Sequence, residues 1–470
     1  MIVFLIFGFH LLGFISAIHA IMSVRTEPGA IAWAVSLNSF PYLAIPAYWI
    51  LGRSRFEGYI TARRGALREF SGIDKGARKS ALKFKYSLSE DESCWQSAER
   101  LAGLPFSRGN STKLLIDGGA TFESILEGVD SAEHYILFQF FIVHDDEIGR
   151  EVKKRLIARS RAGVKVYFLY DEIGSHDLPT RYLEDLRSSG IEIHDFHTRK
   201  GSRNRFQLNF RNHRKIVVVD GKFSWVGGHN VGDEYLGRDA KFGHWRDTHL
   251  RIEGPAALAA QLSFVEDWHW STGETPELNW EATPSPKGDL PILVIPSGPA
   301  DMVESANLLF VHAINTASRR IWIASPYFVP DRSAITALQL AALRGVDVRI
   351  LIPDKPDHIG VYLSAFSYLD EVGHCGVKFY RYLDGFLHQK VFLIDGKAAA
   401  VGTANFDNRS FRLNFEITEL VLDEGFAEEV EAMLEADFYR SRLMKEGETA
   451  DKPWWFRFCV RLSRLVAPIQ

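Results

Sequence analysis

Residues 213–230 read HRKIVVVDGKFSWVGGHN, and residues 388–405 read HQKVFLIDGKAAAVGTAN, the second beginning 175 residues after the first. Each run is an apolar, β-branched segment broken by Asp-Gly and resumed, which is the pattern of a β-hairpin. His and Lys two positions apart on a strand point to the same face. An ammonium beside an imidazole repels a divalent cation and suits an anion, so the pair reads as an anion site. One such pair is a weak signal, but two with identical spacing imply two-fold pseudo-symmetry. His213 and Lys215 then meet His388 and Lys390 around one phosphate, and neither unit makes the site alone.

The repetition extends outward from the hairpins. SAEHYILFQFFIVHDDEIG is an apolar strand leading into Ile148, Val152 and Leu156 at helical spacing; Gly163 ends the helix and VKVYFLYD is a buried strand. RRIWIASPYFVPD, Ile335 and Leu338, Gly345 and VDVRILIPD repeat that order. The fold class is α/β, with two units at residues 113–270 and 292–447 and a joint rich in Pro, Gly, Ser and Thr at 271–291.

The N-terminus has another composition. Residues 1–22 hold no Asp, Glu, Lys or Arg, and at ~1.5 Å per residue they cover a ~30 Å hydrocarbon core. Residues 31–51 repeat the feature, predicting a transmembrane hairpin kinked by Pro41 and Pro46. Residues 52–112 read as a basic juxtamembrane connector. Arg53, Arg55, Arg63, Arg64 and Arg68 follow the second span while Arg25 alone lies between the spans, which places the catalytic units in the cytoplasm and the chain in the inner membrane as a multi-pass protein.

With 470 residues, 46% of them hydrophobic, the chain can bury a substantial core, and a formal charge of −4 lacks the basic footprint of a nucleic-acid binder. The three cysteines, Cys94, Cys375 and Cys459, are widely spaced and do not form a disulfide framework.

The duplicated H-x-K-x4-D-x6-G-[GT]-x-N pattern resembles the HKD motifs of the phospholipase D superfamily. VGGHNVGDEYLG, HWRDTHLRIEGPA, SPYFVPD, GTANFDNRSFRLNFEI and the N-terminal spans are similar to the bacterial cardiolipin synthases of that superfamily. The resemblance implies two phospholipase D-like domains sharing one active site. It also implies a phosphatidyl transfer in which two phosphatidylglycerols give cardiolipin and glycerol through a phosphohistidine, with no cofactor and no metal. Phosphatidylglycerol and membrane lipids are then the partners. A hydrolase of the same superfamily, giving phosphatidic acid, shares every catalytic residue and is the alternative; a non-catalytic phosphate-binding membrane scaffold is a remote one.

By resemblance His213 is the nucleophile and His388 the acid and base, and near-symmetry leaves the reverse open. Lys215 and Lys390, with Asn230 and Asn405, are expected on the non-bridging oxygens. Asp247 and Glu416 are candidates to orient the histidines. Asp220 and Asp395 belong to the motif and are counted with the catalytic set. Their place five residues beyond the lysines, just before Gly, suits holding the turn instead. Tyr327 is a candidate headgroup contact, and His229, His244 and His249 read first as structural histidines. In residues 448–470, Arg457, Arg461 and Arg464 share one helical face and Trp454, Phe458, Leu462 and Leu465 another, the pattern of an interfacial helix, with docking on the core as the competing reading.

Overall fold

Each Asp-Gly dipeptide turns a hairpin through positive φ at both central positions: 54° and 65° at Asp220 and Gly221, 54° and 70° at Asp395 and Gly396. This is the turn whose twist matches paired strands. The computed structural model describes residues 1–24, 26–52, 56, 59, 79–197, 209–445, 447–465 and 467.

The longer strands of the first half are β1 (Ser107–Ile116), β2 (Tyr135–Phe140), β3 (Lys165–Asp171), β4 (Glu192–Phe196), β5 (Ile216–Val219), β6 (Phe223–Gly227) and β7 (Thr248–Glu253). Those of the second are β8 (Leu290–Ser297), β9 (Arg320–Ala324), β10 (Asp347–Pro353), β11 (Lys378–Tyr382), β12 (Val391–Ile394), β13 (Ala398–Gly402), β14 (Asn414–Val421) and β15 (Ser441–Leu443). They form one continuous sheet, joined where β1 pairs with β8 (Ser107 opposite Ile292). Outward from that seam the order is β1-β7-β6-β5-β2-β3-β4 on one side and β8-β14-β13-β12-β9-β10-β11 on the other, with β15 at the far edge. The two arms repeat one another strand for strand. β2, β3 and β4 run parallel, as do β9, β10 and β11, because helices cross between them.

Three apolar clusters define the layers. Helices Asp117–Ser131, Glu147–Arg161 and Thr180–Ser188 cover the outer face of the first arm, burying Phe122, Val152 and Leu186. Helices Ser305–Thr316, Arg332–Leu343 and Ile359–Gly373 cover the second, burying Leu309, Leu338 and Leu369. The inner faces share one core, filled by helices Ala257–Thr272 (Phe264, Trp268) and Glu424–Tyr439 (Phe426, Val430, Leu434). This is the layering expected when crossover helices hide both faces of each sheet.

Two expectations need correction. The run at 31–51 is not one helix: helix Glu27–Ser39 ends, Phe40 takes φ −135° and ψ 58°, and helix Pro41–Leu51 begins. Pro41 lacks an N–H and disfavours the helical conformation at the residue before it, so the helix breaks there. Pro46 is accommodated within the second piece. Both pieces pack on helix Ile2–Ser23 through Ala17, Ala20, Leu37, Ala44 and Tyr48, but among the described residues only Val3–Ser23 is long and apolar enough to cross a membrane.

The second correction concerns residues 52–112, which do more than connect. Phe56 stacks on Phe210 at 5.0 Å, Tyr59 donates to Asp267 at 2.9 Å, and both are buried in the shared inner core. Trp95, Ala98 and Phe106 belong to the core of the second arm, and β1 starts at Ser107 rather than near 113. Arg53, Arg55, Arg63, Arg64 and Arg68 lie outside the described residues. The two units, separate in sequence, share one sheet through the seam, and the joint at 271–291 is irregular between Thr272 and Leu290.

Asp220 accepts the backbone N–H groups of Glu133, His134 and Tyr135, each at 2.8 Å, and so fastens the start of β2 to the hairpin turn. Asp395 does the same for Ser318, Arg319 and Arg320 at 2.9, 2.7 and 2.9 Å. Asp220→Ala removes three charge-assisted hydrogen bonds and puts a Cβ residue without local hydrogen bonding at positive φ. A loss of roughly 3 kcal/mol or more is expected in chemical denaturation of the detergent-solubilised chain.

Candidate active site

Lys215 and Lys390 stand at the heads of the hairpins, and the histidines two residues earlier lie where each chain crosses to the other arm. Arg211–Asn212 pairs in parallel with Asn414–Phe415, and His213 donates its backbone N–H to Phe415 at 3.0 Å. Phe386–Leu387 pairs in parallel with Trp245–Arg246, and His388 donates to Arg246 at 2.8 Å. Each histidine is thereby set beside the residue that follows its partner strand, Glu416 or Asp247.

The carboxylates consequently cross over. His213 Nδ1 lies 2.9 Å from Glu416 Oε2, and His388 Nδ1 lies 2.7 Å from Asp247 Oδ2. A carboxylate at Nδ1 fixes the tautomer that leaves Nε2 with its lone pair, and neither Nε2 has a hydrogen bond among the described residues. Glu416 is held by Thr403 Oγ1 at 2.6 Å and Ser410 Oγ at 2.8 Å; Asp247 accepts the Thr248 N–H at 2.8 Å. The repeat differs here for a steric reason. A Cβ on Gly228 would fall 2.0 Å from Asp247 Oδ1, whereas the longer Glu416 side chain leaves room for Thr403 at the matching position.

Both lysines are buried. Lys215 Nζ donates to His213 O at 2.7 Å; Lys390 Nζ donates to His388 O and lies 3.0 Å from His388 Nδ1. Aromatic rings wall the site: Phe141 meets His213 edge-on at 5.1 Å, and Trp245 lies 5.1 Å from His388. Burial pushes His213 down to about 4, with Glu416 opposing and Lys215 reinforcing. His388 is pushed well below its ordinary value by burial and by Lys390, Lys215 and His213. Burial also lowers Lys215 strongly and Lys390 to about 8. Burial works to raise Glu416, yet His213 and Lys215 hold it below the usual range.

The remaining expected residues fall as follows. Asp220 and Asp395 are corrected from the catalytic set: they sit past β5 and β12, roughly 16 Å of strand from the lysines, occupied with backbone amides. Asn230 uses its amide inside the protein, accepting from Ile142 N at 3.1 Å and donating to Tyr235 Oη at 3.0 Å, while Asn405 Oδ1 is buried without a partner. Tyr327 donates to Asp357. His229 and His249 form a buried pair at 3.0 Å, and His244 contacts Asp117 at 2.8 Å.

Two groups escaped the sequence reading. Asp267 accepts from Arg214 at 2.9 Å through both oxygens and from Gln139 and Asn212 at 2.8 Å; Asp437 accepts from Arg246 at 2.7 and 2.8 Å and from Gln389 at 2.7 Å. Each fixes the x residue of one His-x-Lys. The signal was present in EDW and ADF, at comparable distances after the motifs. It is obscured because the arginine comes from the motif on one side and from the residue before Asp247 on the other.

Two imidazoles, two lysines and the carboxylates that orient the imidazoles are thus brought close enough to act on one another, an arrangement suited to an anion. The chain belongs to the cardiolipin synthase family with phospholipase D-like domains. The family model described as cardiolipin synthase, PLD-like domain, matches residues 125–261 and 310–438. Cardiolipin synthase A of Pseudomonas aeruginosa is 48% identical over 99% of this chain and 95% of its own length, and that of Pseudomonas fluorescens 46% identical over 99% and 98%. The fold is also that of phosphatidylserine synthase from Haemophilus influenzae, at a TM-score of 0.56 and 14% identity over 80% of this chain and all of that one.

The carboxylates of Asp247 and Glu416 act on both lysines of the site. A bound phosphodiester adds one negative charge, which one histidinium offsets. Binding of a non-hydrolysable phosphodiester lipid at pH 7 is therefore expected to take up about one proton, read as the slope of calorimetric enthalpy against buffer ionisation enthalpy. Without ligand the sign is opposite. His213 folded titrates near 4, below its ordinary 6.5, so the unfolded chain binds the proton first and this group costs stability as pH falls from about 6.5 to 4.

Proposed function

We propose that the chain is a cardiolipin synthase, joining two phosphatidylglycerols to give cardiolipin and free glycerol. The observation that carries this reading is the crossed pair of histidine–carboxylate hydrogen bonds, which sets two equivalent imidazoles around one anion site in a chain 46–48% identical to proteins named Cardiolipin synthase A. A phosphodiester is a poor electrophile and an alcohol a weak nucleophile, so a histidine nucleophile divides the transfer into two easier displacements.

His213 Nε2 attacks phosphorus, the bond from phosphorus to the headgroup glycerol oxygen breaks, and His388 gives that oxygen a proton. His388 then takes the proton of a hydroxyl on the second phosphatidylglycerol; its oxygen attacks phosphorus and the P–N bond breaks. Lys215 and Lys390 balance charge on the non-bridging oxygens, and the side-chain N–H group of Asn405 is a further candidate donor. The environments of the two histidines are alike, and the choice of His213 as nucleophile rests on the family resemblance. Phospholipid is the substrate class, and the enzyme works at the membrane, held by Val3–Ser23. The flanking arginines support a hairpin anchor and a catalytic body on the cytoplasmic side of the inner membrane.

Incubation of purified protein with phosphatidylglycerol in detergent should yield cardiolipin and glycerol by mass spectrometry; phosphatidic acid alone would make it a hydrolase. His213→Ala and His388→Ala should each lose at least ~100-fold in rate. Rapid quenching at neutral or basic pH should find labelled lipid on the peptide bearing His213, and label on the His388 peptide would reverse the roles.

For orientation, protease added outside spheroplasts should leave both motif regions intact, and inverted vesicles should expose them. Cleavage from outside would overturn the cytoplasmic assignment.

A further inference from the structure

The C-terminal helix, Trp454–Arg464, is docked on one side and bare on the other. Its inward side is short: Val460 is buried, Phe456 meets Phe366 edge-on at 5.2 Å, and Arg464 lies over the Tyr368 ring and contacts Glu371 at 3.1 Å. All three partners belong to helix Ile359–Gly373. Just beyond, Ala467 accepts from Asn408 at 3.3 Å, three residues after the motif Asn405. Its outward side is apolar: Trp454 is 73% exposed, Phe458 60%, Leu462 54% and Leu465 75%. Arg457 and Arg461 are exposed beside that stripe, and Ile359, which opens the supporting helix, is 71% exposed.

A helix that used its apolar residues to close the core would turn them inward. Here four large apolar side chains stay in water while a smaller set does the docking, and cations line the stripe. We infer that this outward face is a second membrane contact, lying in the headgroup region of an anionic bilayer with Trp454, Phe458, Leu462 and Leu465 in the acyl boundary and Arg457 and Arg461 on lipid phosphates. Charge complementarity commits the face to anionic lipid, and the apolar helix Val3–Ser23 already holds the chain beside a bilayer. The docking gives the contact its use. Helix Ile359–Gly373 begins after Asp357, the partner of Tyr327, so a surface contact on the C-terminal helix fixes that side of the second arm at headgroup depth.

The inference deepens the lipid-substrate reading, and its main readout needs no turnover. In the full chain with Cys94, Cys375 and Cys459 changed to Ser, an environment-sensitive fluorophore is placed at Phe458→Cys, with Tyr439→Cys, 92% exposed on the same arm, as the control. In phosphatidylglycerol vesicles the label at 458 should shift to the blue and be quenched by lipids brominated on the acyl chain. The shift should weaken in phosphatidylcholine vesicles and at high salt, and position 439 should stay aqueous. Phe458→Asp with Leu462→Asp should lower activity on vesicles at least about tenfold while leaving it unchanged in detergent micelles. A label at 458 that stays aqueous on phosphatidylglycerol would overturn the inference. So would burial that rises with protein concentration at fixed lipid, which marks a second copy, or full vesicle activity in the double variant. Loss of cardiolipin formation by the native chain in micelles would instead overturn the enzymatic reading and leave the surface contact standing.

Discussion

Two hydrogen bonds crossing the pseudo-two-fold axis, His213 to Glu416 and His388 to Asp247, tie chemistry to architecture. Each arm of the sheet contributes a nucleophile-type residue to its own side and the orienting carboxylate to the other. Either arm alone would hold a buried His-x-Lys with no acceptor for Nδ1, so the arrangement demands that both arms fold together. The β1–β8 seam, the two short parallel ladders and the shared inner core all serve that demand. The buried pairs Arg214–Asp267 and Arg246–Asp437 reinforce it, since removing one member of a buried ion pair strands the other at a cost of about 3–5 kcal/mol.

The same enclosure sets the electrostatics. Burial that strips water from two lysines and two histidines drives all four toward neutrality, and nearby carboxylates, Asp247 and Glu416 foremost, oppose that drive on the lysines. An entering phosphodiester reverses that pressure, because each cation then gains a counter-charge in a medium of low dielectric constant. Protonation of one imidazole is a response to substrate, which lets two similar histidines take different parts. Access for a lipid, in turn, requires the mouth of the site to lie at headgroup level, and the N-terminal apolar helix and the outward face of the C-terminal helix are the two features suited to set that depth.

Much of this was legible in particular residues. The duplicated hairpins, Gly163 and Gly345 at helix ends with φ of 95° and 87°, and the strands flanking them follow from local periodicity and turn chemistry. So did the role of Asp220 and Asp395 at the turns, from their parity along the strand. Pro41 was legible as a kink, but the division of that run into two short helices was less so, because a run of apolar residues reports hydrophobicity and not helical continuity. Phe56, Tyr59, Trp95 and Phe106 looked like parts of a polar, basic connector, since burial depends on what returns to cover a residue and not on its neighbours in sequence.

By itself, then, the sequence determined the elements, their repetition and the two His-x-Lys pairs set on matching hairpins, because strand parity, turn residues and helix stops are local in the chain. Only the tertiary structure decided that Glu416 serves His213 and Asp247 serves His388, that Arg214 and Arg246 hold the motif from non-equivalent positions, and that Asn230 is spent within the fold while Asn405 Oδ1 has no partner among the described residues. Those choices rest on contacts between residues up to about two hundred positions apart, and no local pattern encodes which of two near-identical arms a side chain will cross to reach.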